Sequence, residues 1–130
     1  MADPVFIRPL AVPEYLGAMS IKIDHYNQVC VLQPASDLAG EVSALARKQV
    51  EEQIDTKQIV DFVIGLEKCG FIDSEGLETL LWVKRKCEDL FGQIKLASLD
   101  ENCKKILEIT RLEHRFECCT DLAAALKTMR

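Results

Sequence analysis

The chain has little that would let it bind nucleic acid. No run of Lys and Arg is dense enough to release counterions from a phosphate backbone. The densest, Lys84-Arg85-Lys86, is followed by Glu88 and Asp89, and the net charge is −5. A direct nucleic-acid partner is excluded on that ground. Long apolar runs are missing as well. No stretch approaches the ~20 residues a membrane span needs, and Asp3, Pro4 and Arg8 break the N-terminus where a signal peptide needs a continuous apolar core. The expectation is a cytoplasmic protein with no membrane segment.

Histidine is scarce, with only His25 and His114. His114 and Cys118 stand four apart, the spacing of metal ligands on a helix. Between them, however, a helix is expected to end and a strand to begin, and adjacent Cys118 and Cys119 in a strand point to opposite faces. With no nucleophile beside its base, no metal set and no phosphate cradle, no catalytic residue or metal is assigned, and the chain is not read as an enzyme. The six cysteines lack paired short spacings and an export signal, so they read as reduced core thiols. Internal repeats and low-complexity tracts are absent.

What is present suits one globular domain. The 130 residues are 48% hydrophobic and 28% charged, a length and balance that support a single core. Three of the four prolines, Pro4, Pro9 and Pro13, fall in residues 1–18, which read as an extended arm ahead of a domain over 19–130.

From Ser20 the apolar period becomes two. Ile21, Ile23 and His25 alternate, then Val29 and Val31 on their side with Cys30 and Leu32 on the other, and Tyr26-Asn27-Gln28 forms the turn of a hairpin. Pro34-Ala35-Ser36-Asp37 offers caps for an amphipathic helix over about 39–55, with Val42, Leu45, Ala46, Val50 and Ile54 on its stripe. A β-branched run over 59–64 reads as a buried strand. A second helix spans about 75–91, stopped by Gly92, with Leu80, Val83, Cys87, Leu90 and Phe91 towards the core and Trp82 on the opposite face. A strand over 93–99 follows, then a helix capped by Asp100, a short extended piece at 116–118 and a last helix capped by Thr120 or Asp121. The fold class is α/β: a mixed sheet of four to five strands covered by about four helices.

Within that order, Val60-Asp61-Phe62 leading to Phe71-Ile72-Asp73-Ser74-Glu75-Gly76-Leu77 resembles the STAS domain signature: a buried strand, a short loop, then a helix opened by Asp-Ser-x-Gly. The likeness continues through Gly92-Gln93-Ile94-Lys95-Leu96, through Ile106-Leu107-Glu108-Ile109-Thr110-Arg111-Leu112, and to Asp121-Leu122-Ala123-Ala124-Ala125-Leu126. The resemblance implies a binding module of the anti-sigma factor antagonist type. Its partner would be an anti-sigma factor or related serine kinase with a histidine-kinase-like ATPase fold, and a phosphatase would restore binding; the nucleotide of such a system belongs to the partner, so the resemblance implies no cofactor for this chain. Ser74 is then the phosphorylated residue, with Asp37, Asp73, Glu75, Gly76, Glu78 and Trp82 as candidate partner contacts. Phe71, Ile72 and Leu77 are expected to anchor the loop in the core.

The residues themselves fit such a switch. Ser74 falls at a helix start, where unpaired amides and the positive dipole end tolerate an anion, and a phosphate there would add about −1.5 to −2 charges to a docking surface. Two departures from the family pattern stand out: Glu75 replaces a small or hydroxyl residue, and Ala35-Ser36-Asp37-Leu38 replaces Gly-x-Leu-Asp. Glu75 and Glu78 would repel a phosphate on Ser74, which keeps open a second reading, a constitutive STAS scaffold never phosphorylated there.

Overall fold

Asn27 and Gln28 both take positive φ, 49° and 74°, the pattern of the type I′ turn whose twist matches paired strands. They close a hairpin of β1 (Ile21–Tyr26) and β2 (Val29–Pro34) in a computed structural model that describes residues 21–129. After it come α1 (Glu41–Lys57), β3 (Asp61–Gly65), α2 (Ser74–Asp89), β4 (Gln93–Ala97), α3 (Glu101–Ile109), β5 (Glu117–Cys119) and α4 (Leu122–Lys127). The sheet order is β1-β2-β3-β4-β5, antiparallel in the first pair and parallel thereafter. The α/β class holds, with five strands and four helices among the described residues. The expected arm over 1–18 lies outside the described residues.

The hairpin register sets which face each residue meets. Ile23 stands opposite Leu32 and His25 opposite Cys30. Ile21 and Ile23 therefore share the face of Cys30 and Leu32, not that of Val29 and Val31 as the alternation alone suggested. His25 Nε2 reaches Gln53 Oε1 of α1 at 2.6 Å on this face. The main core packs Cys30, Leu32, Phe62, Ile64, Ile94 and Leu96 of the sheet against α1, α2 and α3. On the reverse face Val29, Val31, Val63 and Ala97 pack against Ala125 of α4. Lys95, 2% exposed, also faces that side, and its ammonium pairs with Glu117 at 3.1 Å and donates to the Thr128 hydroxyl, so the buried charge is satisfied.

The central strands are buried on both faces, which is why they read as unbroken apolar runs. Pairing in β3 begins at Asp61 and not at Ile59. The Gln58 and Ile59 amides are used to close α1, on Ile54 and Gln53 carbonyls, with Gln58 in the left-handed region.

The end of α2 also differs from expectation. Phe91, at φ 63°, is the left-handed residue; its amide bonds Glu88 and that of Gly92 bonds Cys87 at 2.7 Å, a Schellman closure. Leu90 and Phe91 thus leave the core stripe, and Phe91 is 88% exposed. Gly92 is required for a different reason: a Cβ on it would lie 1.9 Å from the Val60 carbonyl oxygen.

Candidate functional site

The loops leaving the C-terminal ends of the adjacent parallel strands β2 and β3 are laced together. Leu38 and Ile72 form an isolated parallel bridge; Leu38 donates to the Phe71 carbonyl at 3.0 Å and accepts from the Asp73 amide at 3.3 Å. Side chains reinforce the lacing. Asp37 Oδ1 accepts from the Gly70 amide at 2.9 Å, and Asp73 Oδ2 accepts from the Gly40 amide at 3.2 Å. Asn102 of α3 donates to the Gly70 carbonyl at 2.7 Å, tying in a third element.

Asp73 has a second role. Its Oδ1 accepts from the Gly76 amide at 2.7 Å and caps α2, so the cap is Asp73 and Ser74 is the first helical residue. Ser74 is exposed, as expected, and so are Glu75 and Glu78. Gly76 is buried. The backbone that approaches it belongs to this chain, the Leu38 carbonyl. Ile72 is a core anchor and Leu77 is half-buried, but Phe71 is 46% exposed and does not anchor the loop.

Asp37 does not cap α1. That helix begins at Glu41 with Gly40 at its N-cap, which has no side chain to offer, and the Asp37 carboxylate is turned across to the neighbouring loop. Asp37 and Asp73 are thus brought together by the lacing, with Ser74, Glu75 and Glu78 along the adjoining turn of α2.

Trp82 corrects a further expectation. It is half-buried and packs against the main core, with the Arg47 guanidinium 5.6 Å and the Lys86 ammonium 5.7 Å from its ring centroid. The cause is α1, which lies along the flank of α2 and turns the tryptophan's face into an interhelical contact. Arg47 Nε also donates to Thr79 Oγ1 at 3.1 Å. Between the two helices, beside Ser74, opens a cleft of about 270 Å³ lined by Gly40, Ser43, Arg47, Glu75, Glu78 and Thr79. The Ser43 hydroxyl is buried there without a hydrogen-bond partner.

Sequence reasoning missed Arg47, Ser43 and Thr79, whose roles depend on how one helix lies against another. It also missed Cys69. That thiol accepts from the Leu38 amide at 3.3 Å and contacts the Phe71 carbonyl at 3.1 Å, inside the lacing. Burial pushes the Cys69 thiol up, so it stays protonated. Among the described residues no group of His, Cys, Asp and Glu could hold a metal ion, and no helix is long and apolar enough to cross a membrane.

The arrangement has counterparts. The STAS domain family model matches residues 20–125. An anti-sigma F factor antagonist of Paenibacillus polymyxa is 22% identical over 94 residues, 72% of this chain and 80% of that protein. A Thermotoga maritima protein described as an anti-sigma factor antagonist superposes with a TM-score of 0.79 at 21% identity, over 85% of this chain and 94% of the other. The Bacillus cell fate determinant SpoIIAA in its phosphorylated form gives a TM-score of 0.69 at 16% identity, over 85% of this chain and all of the other.

Proposed function

This chain belongs to the STAS domain family, and we propose that it is a non-catalytic regulatory module that docks a protein partner through the laced loops and the first turns of α2, with docking switched off by phosphorylation of Ser74. The partner proposed is an anti-sigma factor or related serine kinase, opposed by a phosphatase. The observation that carries this reading is the separation of duties at the helix start. Asp73 supplies the cap and the bond to Gly40, while the exposed hydroxyl of Ser74 takes no part in the hydrogen bonding among the described residues.

A modification at Ser74 therefore changes the surface without loosening the fold. Phosphate on the first turn is favoured by the helix dipole, and its bulk and hydration obstruct a partner that must come into contact there. Asp37, Asp73 and Gly76 contribute by holding the loops in shape. Glu75, Glu78, the exposed half of Phe71 and the open edge of Trp82 offer direct contacts. That a SpoIIAA structure exists in the phosphorylated form lends support by analogy of fold.

Phosphopeptide mass spectrometry of the protein from its native cells, paired with pull-downs using wild type, Ser74→Ala and Ser74→Asp, tests the reading. A Ser74 phosphopeptide and a partner retained by Ser74→Ala but lost by Ser74→Asp are expected. An unmodified Ser74 with identical partners for all three would move the protein to the constitutive scaffold reading, which Glu75 and Glu78 favour by their repulsion of a neighbouring phosphate.

A further inference from the structure

We propose that the cleft between α1 and α2 is a receptor for one basic side chain, arginine or lysine, of the docking partner; the inference rests on the partner-binding reading above and adds the chemistry of the contact. Three observations point to a cation. Glu75 and Glu78 stand one turn apart on α2, both exposed, and both line the cleft. Like charges at this spacing repel and weaken the helix, and a cation between them removes that repulsion. Among the described residues neither glutamate has an ion-pair partner.

The second observation is the Ser43 hydroxyl. A serine inside a helix ordinarily turns back to the carbonyl four residues earlier or faces water. Ser43 is 2% exposed and its oxygen has no partner, yet the residue forms part of the cleft. The unpaired hydroxyl lies beneath the lining of an acidic cleft, so a rotation of the serine side chain towards the cleft would let it accept from an N–H donor seated there.

Arg47, the cleft's own cation, is held to one end. Its Nε is donated to Thr79 Oγ1 and its guanidinium lies over Trp82, which directs it along the flank of α2. The volume, about 270 Å³, falls below the roughly 300–1,000 Å³ of pockets that enclose small-molecule ligands and suits a single side chain. Because Glu75 follows Ser74 directly, a basic side chain seated here brings its own chain onto the serine.

The test is a ¹H–¹⁵N titration of the full chain with Nα-acetyl-arginine amide, and separately with Nα-acetyl-glutamate amide. The arginine probe is expected to shift the Ser43, Glu78 and Thr79 amides saturably, with binding about tenfold weaker in Glu75→Gln/Glu78→Gln, whose exposed positions leave the fold intact. Shifts unaltered by that double substitution, or the same amides responding to the glutamate probe instead, would overturn the proposal and return the cleft to Arg47. Neither result touches the Ser74 pull-down, so this contact and the switch stand or fall separately.

Discussion

Gly76 lies under the carbonyl of Leu38 so closely that a Cβ added to it would sit 2.1 Å from that oxygen and 2.8 Å from Ile72 Cγ2. The obstacle is backbone and cannot rotate away. Gly76→Ala is expected to cost about 3 kcal/mol or more, since the two loops must separate to admit the methyl group. Gly70→Ala is the control in the same loops: its Cβ would meet Asp37 and Asp100 oxygens at ordinary distances of 3.6 and 3.8 Å, and the expected change is within ~0.5 kcal/mol. Guanidinium unfolding of both variants decides the point; equal stabilities would contradict it.

Capping separates Asp73 from its neighbour. Asp73→Ala removes the α2 cap and the bond to Gly40 together and is expected to cost about 1–2 kcal/mol. Ser74→Ala and Ser74→Asp should each stay within about 0.5–1 kcal/mol of wild type, because the first helical position caps nothing and an acid there favours the dipole. Thermal midpoints in the order wild type, Ser74→Ala and Ser74→Asp together, with Asp73→Ala well below, are the expected pattern.

Ser43→Ala should stabilise the protein by about 1 kcal/mol, as removing a buried unpaired hydroxyl recovers its desolvation cost. A loss of stability on this substitution would mean that the hydroxyl is bonded in solution. The measurement is again the unfolding midpoint.

Alkaline pH probes the thiols under the sheet. Burial raises the Cys30 and Cys87 thiols from the ordinary 9.0 to about 12. Their folded-state values exceed the unfolded ones, so between pH 9 and 12 the native state keeps protons that the unfolded chain has lost. Stability is full below pH 9 and falls as the pH climbs, by about 1.4 kcal/mol per pH unit for each thiol. Unfolding free energies at pH 8, 9 and 10 should show the decline, and Cys87→Ala should make it shallower by one thiol's share, with Cys30 still contributing. An equal slope in that variant would assign the decline to other groups.

Trp82 reports on the contact between α1 and α2. Its half-buried ring is covered by Arg47, so Arg47→Ala should red-shift the emission of this single tryptophan. An unchanged spectrum would show that Arg47 shields nothing in solution.

Much of the architecture could be read from the chain, because it depends on local periods. The order of strands and helices, the loop carrying Asp73 and Ser74, and the caps at Asp100 and Asp121 follow from alternation, apolar stripes and short polar residues. The errors fall where one element leans on another. Trp82 was assigned to the outer face because a helical stripe describes one neighbour, and α2 has two: the sheet beneath and α1 alongside. The sequence places the stop of α2 at Gly92, yet Phe91 is the residue in the left-handed region, while Val60 claims the space above Gly92. Asp37 had the composition of a cap and is used instead across 33 residues, on Gly70. None of these distant partners leaves a period in the sequence.

The lacing of the loops also bears on when the protein can act. Its bonds join residues more than thirty apart, Asp37 to Gly70 and Asp73 to Gly40, and they exist only once β2 and β3 lie side by side. A chain with its helices formed but its central strands unpaired has Ser74 without the surface around it. If the proposed partner docks here, its recognition doubles as a check that folding is complete, because a copy whose β2 and β3 have come apart lacks the bonds that shape the surface.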